Sequence, residues 1–176
     1  MVLENHIHYS LCNADEMLQM QKEQYSLIQL RAEDTIPYEL LLLADETREA
    51  IDKYIGDSMV FVLQSTKSND AGAAFALYPI NAEELELKNI AVAENLQGAG
   101  IGSYLITEIK KIAKDAGYNT LWVGTPDTAV RELNFYKKNG FEDAYIKENF
   151  FLENYTEPIY NNGVLLKDMA MLKMIL

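Results

Sequence analysis

The chain has 176 residues, 49% of them hydrophobic, and carries 27 Asp+Glu against 15 Lys+Arg, a formal net charge of -12. That length suits one domain with its own core, and a field of that sign repels phosphate backbones, so nucleic acid is not an expected partner. Cys12 is the single cysteine, which excludes an internal disulfide and a zinc site built from several cysteines. No apolar run approaches the roughly 20 residues that span a bilayer, and the N-terminus has no basic segment followed by an apolar one. The expectation is a cytoplasmic protein with no membrane partner.

Residues 1–24 are polar and irregular, with a helical hint at Ala14–Gln24. They read as an extension ahead of a domain covering 25–176. Tyr25–Arg31 has the alternation of a first strand. Pro37 and the leucines at 40–43 predict a short helix with proline near its start. Asp45 is the expected cap of a second helix over 46–54, ended by Gly56. Met59–Ser65 is apolar and β-branched, and reads as a buried strand. The turn composition of 68–72 makes it the first arm of a hairpin returning through Ala73–Tyr78 to Pro79.

Glu84–Val92 is the next strand. A two-residue period puts Leu85, Leu87, Asn89 and Ala91 on one face, and Glu86, Lys88, Ile90 and Val92 on the other. Ile101, Leu105, Ile106, Ile109 and Ile112 then recur at helical spacing up to Gly117. Leu121–Val123 reads as a short strand. A helix follows from an Asp127 cap to Lys138, stopped by Asn139-Gly140. Further strands are expected at 141–146 and 168–175, with an irregular aromatic stretch over 150–162. The pattern predicts one α/β domain around a mixed, largely antiparallel sheet.

The chemistry concentrates in Gln97-Gly98-Ala99-Gly100-Ile101-Gly102, which follows a strand and opens a helix. The first amides of a helix lack intrahelical partners, and the dipole there favours an anion. Glycines let the backbone approach a bulky diphosphate. There is no Gly-Lys-Ser/Thr and the spacing is not GxGxxG, so a P-loop and a dinucleotide fingerprint are both excluded. On the residues alone, a turn that merely packs strand against helix fits equally well.

Gln97-x-x-Gly100-x-Gly102 after Ile90-Ala91-Val92 resembles motif A of the GNAT superfamily, the GCN5-related N-acetyltransferases. Phe135-Tyr136-Lys137-Lys138-Asn139-Gly140-Phe141 is similar to that family's FYxKxGF motif, and the two occur in the family's order. Leu121-Trp122-Val123-Gly124-Thr125 and 150–162 resemble an uncharacterised bacterial subgroup. The likeness covers about 25–176. It implies a single-domain GNAT fold with helices flanking the sheet and a splayed strand pair at Glu84–Val92 and Leu121–Val123. It implies acetyl-CoA as co-substrate and no metal. Ile90, Ala91 and Val92 would pair with the pantetheine arm. Gln97, Gly98, Ala99, Gly100, Ile101, Gly102 and Ser103 would hold the diphosphate.

The implied reaction is transfer of an acetyl group to a primary amine of a small molecule or peptide by direct attack in a ternary complex. An amine of pKa about 10.4 is about 99.9% protonated at pH 7, so freeing its lone pair costs roughly 4–5 kcal/mol. A general base relieves that cost, and an acid protonates the departing thiolate. The resemblance makes Glu86, six residues before Val92, the candidate base, with Glu84 the fallback. It makes Tyr136 the candidate acid, an unperturbed phenol being close in basicity to the thiolate. Asp127 and Asn134 depart from the family pattern, where asparagine and alanine are common; Asn134 is kept as a candidate cofactor contact. His6 and His8 have no acidic or cysteine cluster beside them and do not form a metal site. The alternative function is a non-catalytic acyl-CoA-binding regulatory module. The acceptor's identity stays open, as does oligomeric state, with a homodimer among the choices.

Overall fold

The computed structural model describes residues 24–161 and 163–176. The helical hint at 14–24 and the His6, His8 and Cys12 readings lie outside them, apart from Gln24. Strands β1 (Tyr25–Gln29), β2 (Met59–Ser65), β3 (Ala71–Pro79), β4 (Glu84–Val92), β5 (Thr120–Pro126), β6 (Glu142–Lys147) and β9 (Met169–Ile175) form one seven-stranded sheet in the order β1-β2-β3-β4-β5-β9-β6. Every neighbouring pair is antiparallel except β4 and β5. Strands β7 (Tyr160–Asn161) and β8 (Val164–Leu165) make a separate hairpin that starts inside the stretch expected to be irregular, 150–162, and ends beyond it.

Helices cover both faces. On one lie α3 (Ile101–Asp115) and α4 (Val130–Lys138). The apolar stripe of α3, Leu105, Ile106, Ile109 and Ala113, meets Leu63, Phe75, Leu77, Leu85, Leu87 and Leu121 in the main core. That 3.6-residue repeat is what the sequence carried. Gly117, at φ +88, closes α3 with Gly117 N–H donating to Lys114 O and Tyr118 N–H to Ala113 O. This is the paired capping that a glycine after the last turn permits.

On the other face, α1 (Tyr38–Leu41) and α2 (Arg48–Asp52) bring Leu41, Ile51 and Tyr54 against Val60, Ala74 and Ala76. The cap of α2 is Thr47, whose side chain accepts from Ala50 N–H at 3.1 Å. Asp45, expected in that role, accepts from Glu46 N–H and from two tyrosines instead. The start of α4 also differs from expectation. It begins at Val130 behind Ala129 with no side-chain cap, because Asp127 still belongs to the sheet margin, its N–H donating to Asp168 O. A short α5 (Phe150–Asn154) follows β6.

Two irregularities shape the centre of the sheet. Strand β4 pairs with β5 only from Glu84↔Thr120 to Leu87↔Val123, after which the two separate. On its other edge β4 slips register against β3: Ala76 pairs with Asn89, and Leu77 with Leu87. Lys88 is therefore a bulge, which reverses the side-chain alternation beyond it. Leu85 and Leu87 sit in the main core, and so do Ile90 and Val92 at its margin. The expected face shared by Glu86, Ile90 and Val92 does not exist. Glu86 points to the side of Tyr78, its cross-strand partner, and Asn89 to the side of α1 and α2.

Candidate active site

Where β4 and β5 part, the structure has a cleft of about 700 Å³. One wall is Lys88–Val92, whose backbone edge toward β5 has no strand partner. The floor continues into a 3-10 turn at Glu94–Leu96 and the glycine loop. Of residues 97–103, all but Ala99 line this cleft. Gly98 and Gly100 hold φ +77 and +78, the left-handed region where a side chain is disfavoured. Tyr104 N–H bonds Gly100 O, so the amides of Ile101 and Gly102 come before the first helical bond and have no intrahelical carbonyl to meet. Gln97 departs from the expected role: its N–H donates to Glu94 O, and its side chain donates to Val92 O at 3.0 Å. It braces the loop against β4.

The opposite wall is α4. Tyr136 lines the cleft and is 8% exposed, packed edge-on between Phe135 and Phe141 at 5.3 and 5.6 Å between ring centroids. Burial pushes its phenol above the ordinary value, and nearby Glu132 adds to the rise. The ring of Phe135 fits because residue 102 is glycine; a Cβ there would stand 3.1 Å from it. Asn134 is exposed and does not line the cleft. It stands two residues from Tyr136, on another face of the helix. Arg131 does line it. A cation in the first turn of a helix opposes the macrodipole, which was the signal that sequence reasoning missed.

Glu86 lies elsewhere, in a cavity of about 330 Å³ that adjoins the cleft. The two spaces share Leu87, Lys88, Gly124 and Met169 where the strands diverge, and Asp45 and Tyr155 beside them. Gly124 keeps that junction narrow in side-chain content: a Cβ on it would fall 2.5 Å from Met169 Sδ. Glu86 is buried, and its Oε1 is 3.2 Å from Lys88 Nζ. Glu84, the fallback base, is already committed. Its two carboxylate oxygens accept from Trp122 Nε1 at 3.1 Å and Asn81 Nδ2 at 2.7 Å.

A polar chain links both spaces. Asn89 Nδ2 donates to Leu41 O at 3.0 Å and to the Tyr54 hydroxyl at 3.1 Å. The Tyr54 hydroxyl donates to Asp45 Oδ2 at 3.2 Å, and the Tyr155 hydroxyl to Asp45 Oδ1 at 3.1 Å. Burial and the Asp45 charge hold both phenols above their usual range. Asn89 Oδ1 is buried without a partner. No group of three or more metal-ligating side chains occurs among the described residues, and none of their helices is long and apolar enough to cross a membrane.

A splayed strand pair, a glycine loop opening a helix and a tyrosine facing them from the next helix make a specific combination. Residues 56–143 match the family model described as an acetyltransferase (GNAT) domain. The chain belongs to the GNAT acetyltransferase family. It is 33% identical to the uncharacterized N-acetyltransferase YvbK of Bacillus subtilis, over 77% of this chain and 86% of that protein. It superposes on a GNAT family acetyltransferase from Elizabethkingia anophelis with acetyl-CoA bound, at a TM-score of 0.81 and 38% identity, covering 88% of this chain and 99% of that one. The ribosomal protein bS18-alanine N-acetyltransferase of Salmonella typhimurium is 30% identical over 48% of this chain, which spans 57% of that enzyme. The GNAT chain is accordingly an acetyl-CoA-dependent acyltransferase.

Proposed function

We propose that this chain is an N-acetyltransferase that joins the acetyl group of acetyl-CoA to a primary amine by direct attack, with both substrates bound together. The observation that carries this reading is the unpaired edge of Lys88–Val92 running into a left-handed glycine loop at the start of α3. An extended amide-bearing arm hydrogen-bonds such an edge like an added strand. Its diphosphate then meets the N–H groups of Gly98, Gly100, Ile101 and Gly102, with the Arg131 charge nearby. Ile90, Ala91 and Val92 line the arm's path. Asn134 has no part in it.

The thioester supplies the acetyl group, and its C–S bond breaks as the new C–N bond forms. Glu86 takes the amine proton, directly or through water. Lys88 Nζ, 3.2 Å from the same carboxylate, offsets the pull of Glu86 on an ammonium. The Tyr136 hydroxyl donates to the departing sulfur. Its raised pKa keeps it protonated through neutral pH, but a thiol is ordinarily the stronger acid. Tyr136 therefore stabilises the thiolate by a hydrogen bond rather than by complete transfer, a narrower role than an unperturbed phenol would have. Amine and thioester approach from the two spaces that meet at Gly124. The reading places the enzyme in the cytoplasm.

Titration calorimetry with CoA, followed by thiol release from acetyl-CoA across an amine panel, tests the proposal. Binding with amine-dependent release is expected. Binding without release from any amine would leave only an acyl-CoA-binding module.

A further inference from the structure

The cavity holding Glu86 has its own selectivity. Resting on the acetyl-transfer reading, we propose that its acceptor is a small primary amine built on an aromatic body and carrying an anionic group, rather than a polyamine or a protein terminus.

Size and closure come first. The cavity holds about 330 Å³, and two hydrogen bonds tie residues of its wall together. The Tyr155 hydroxyl reaches Asp45, and Lys53 Nζ donates to Asn154 O at 2.9 Å. Both join the region of α2 to the end of α5, segments about a hundred residues apart in the chain. A space of that size suits a small molecule held whole better than the end of a peptide. The walls are aromatic: Tyr54, Tyr78, Phe150 and Tyr155. Such rings favour a flat apolar body in stacked or edge-on contact.

Charge then sets the ends. Glu86, buried next to the cleft, faces the amine. Asp45 is a poorer ammonium site than Glu86, because three of its roughly four acceptor sites are taken by Glu46 N–H, Tyr54 and Tyr155. Lys53 is exposed, lines the same cavity and pairs with no carboxylate among the described residues. In a chain of net charge -12, a cation without a carboxylate at the rim of the site is an anion receptor. It repels the second ammonium of a polyamine and attracts a carboxylate held across the ring from the amine.

The test uses the full chain with saturating acetyl-CoA and reads thiol release. The acceptors are para-aminomethylbenzoate, its uncharged counterpart benzylamine, spermidine and a short peptide with N-terminal alanine. Para-aminomethylbenzoate is expected to exceed benzylamine in kcat/KM by about three- to fivefold. Lys53→Ala should bring the benzoate-to-benzylamine ratio of kcat/KM down to about one, chiefly through KM for the benzoate, in line with loss of one exposed charge pair. Preference for spermidine or the peptide, or an equal effect of Lys53→Ala on both aryl amines, would overturn the inference and leave acetyl transfer standing. Failure of every amine to release thiol while CoA still binds would instead defeat the acetyl-transfer reading.

Discussion

Replacing Tyr136 with phenylalanine separates chemistry from architecture at this site. The ring keeps its edge contacts with Phe135 and Phe141, and the residue stays buried. Only the hydroxyl is lost, and among the described residues nothing hydrogen-bonds it. Folding stability should therefore change by less than about 1 kcal/mol. Affinity for acetyl-CoA should hold within about threefold, since the strand edge and the loop amides are untouched. The rate is different. Losing the only phenol that lines the cleft from α4 should remove a hydrogen bond to the charge developing on sulfur, about a hundredfold in kcat or roughly 2.7 kcal/mol. The assay is thiol release at saturating acetyl-CoA and acceptor, with thermal unfolding and CoA calorimetry on the same preparation. A variant that folds, binds CoA and turns over within about threefold of the parent would refute the role given to Tyr136.

Gly100→Glu should weaken CoA binding by at least about a hundredfold in calorimetry. Its φ of +78 adds strain of about 1–2 kcal/mol for any side chain, and a like charge about 5 Å from a phosphate adds about 3 kcal/mol at an effective dielectric of about 20; parental affinity would contradict the loop's assignment. Asn89→Ala should cost about 2 kcal/mol in urea unfolding, since it deletes the bonds to Leu41 O and Tyr54, each contributing about 1 kcal/mol, and a loss below about 0.5 kcal/mol would deny them a structural role. Stability should also fall in alkali. The folded state holds the Tyr136 proton more tightly than the unfolded chain does, so its contribution is complete below the ordinary phenol pKa of about 10 and declines as pH rises above it, by up to about 1.4 kcal/mol per pH unit. Urea midpoints compared at about pH 9 and 11 should show a smaller drop in Tyr136→Phe, and identical drops would exclude this linkage.

The parts of the fold legible in the sequence are those with a strong local signal. The limits of β2 and β4 follow from β-branched runs and flanking turns, and α3 from its apolar repeat and Gly117. The starts of α2 and α4 differ from expectation because an aspartate ahead of a helical pattern is only a capping candidate. Thr47 is better placed for the first, and Asp127 is held by Asp168 across the sheet margin. The glycine loop was legible because left-handed glycines and a helix start leave a compositional trace. The bulge at Lys88 left none. It depends on the pairing of β3 with β4, a long-range choice that strict alternation conceals. The Asn89–Tyr54–Asp45–Tyr155 chain was invisible for the same reason: its members come from β4, the end of α2, the loop before α2 and the segment after α5.

That bulge decides how the two spaces divide the work. Without it, Glu86, Ile90 and Val92 would share a face, and base and cofactor arm would compete for one side of the sheet. With Lys88 inserted, Ile90 and Val92 pack toward the side of Tyr136, while Glu86 turns to the aromatic cavity. The strand then presents an open edge between them because β5 has left. In the proposed reaction, a thioester lying along that edge is reached from one side by an amine beside Glu86 and from the other by the Tyr136 hydroxyl. In that proposal the separation of Glu86 from Tyr136 is a property of strand register, and a change that straightened the bulge with Lys88 kept would bring Ile90 and Val92 to the face of Glu86 even with every site residue intact.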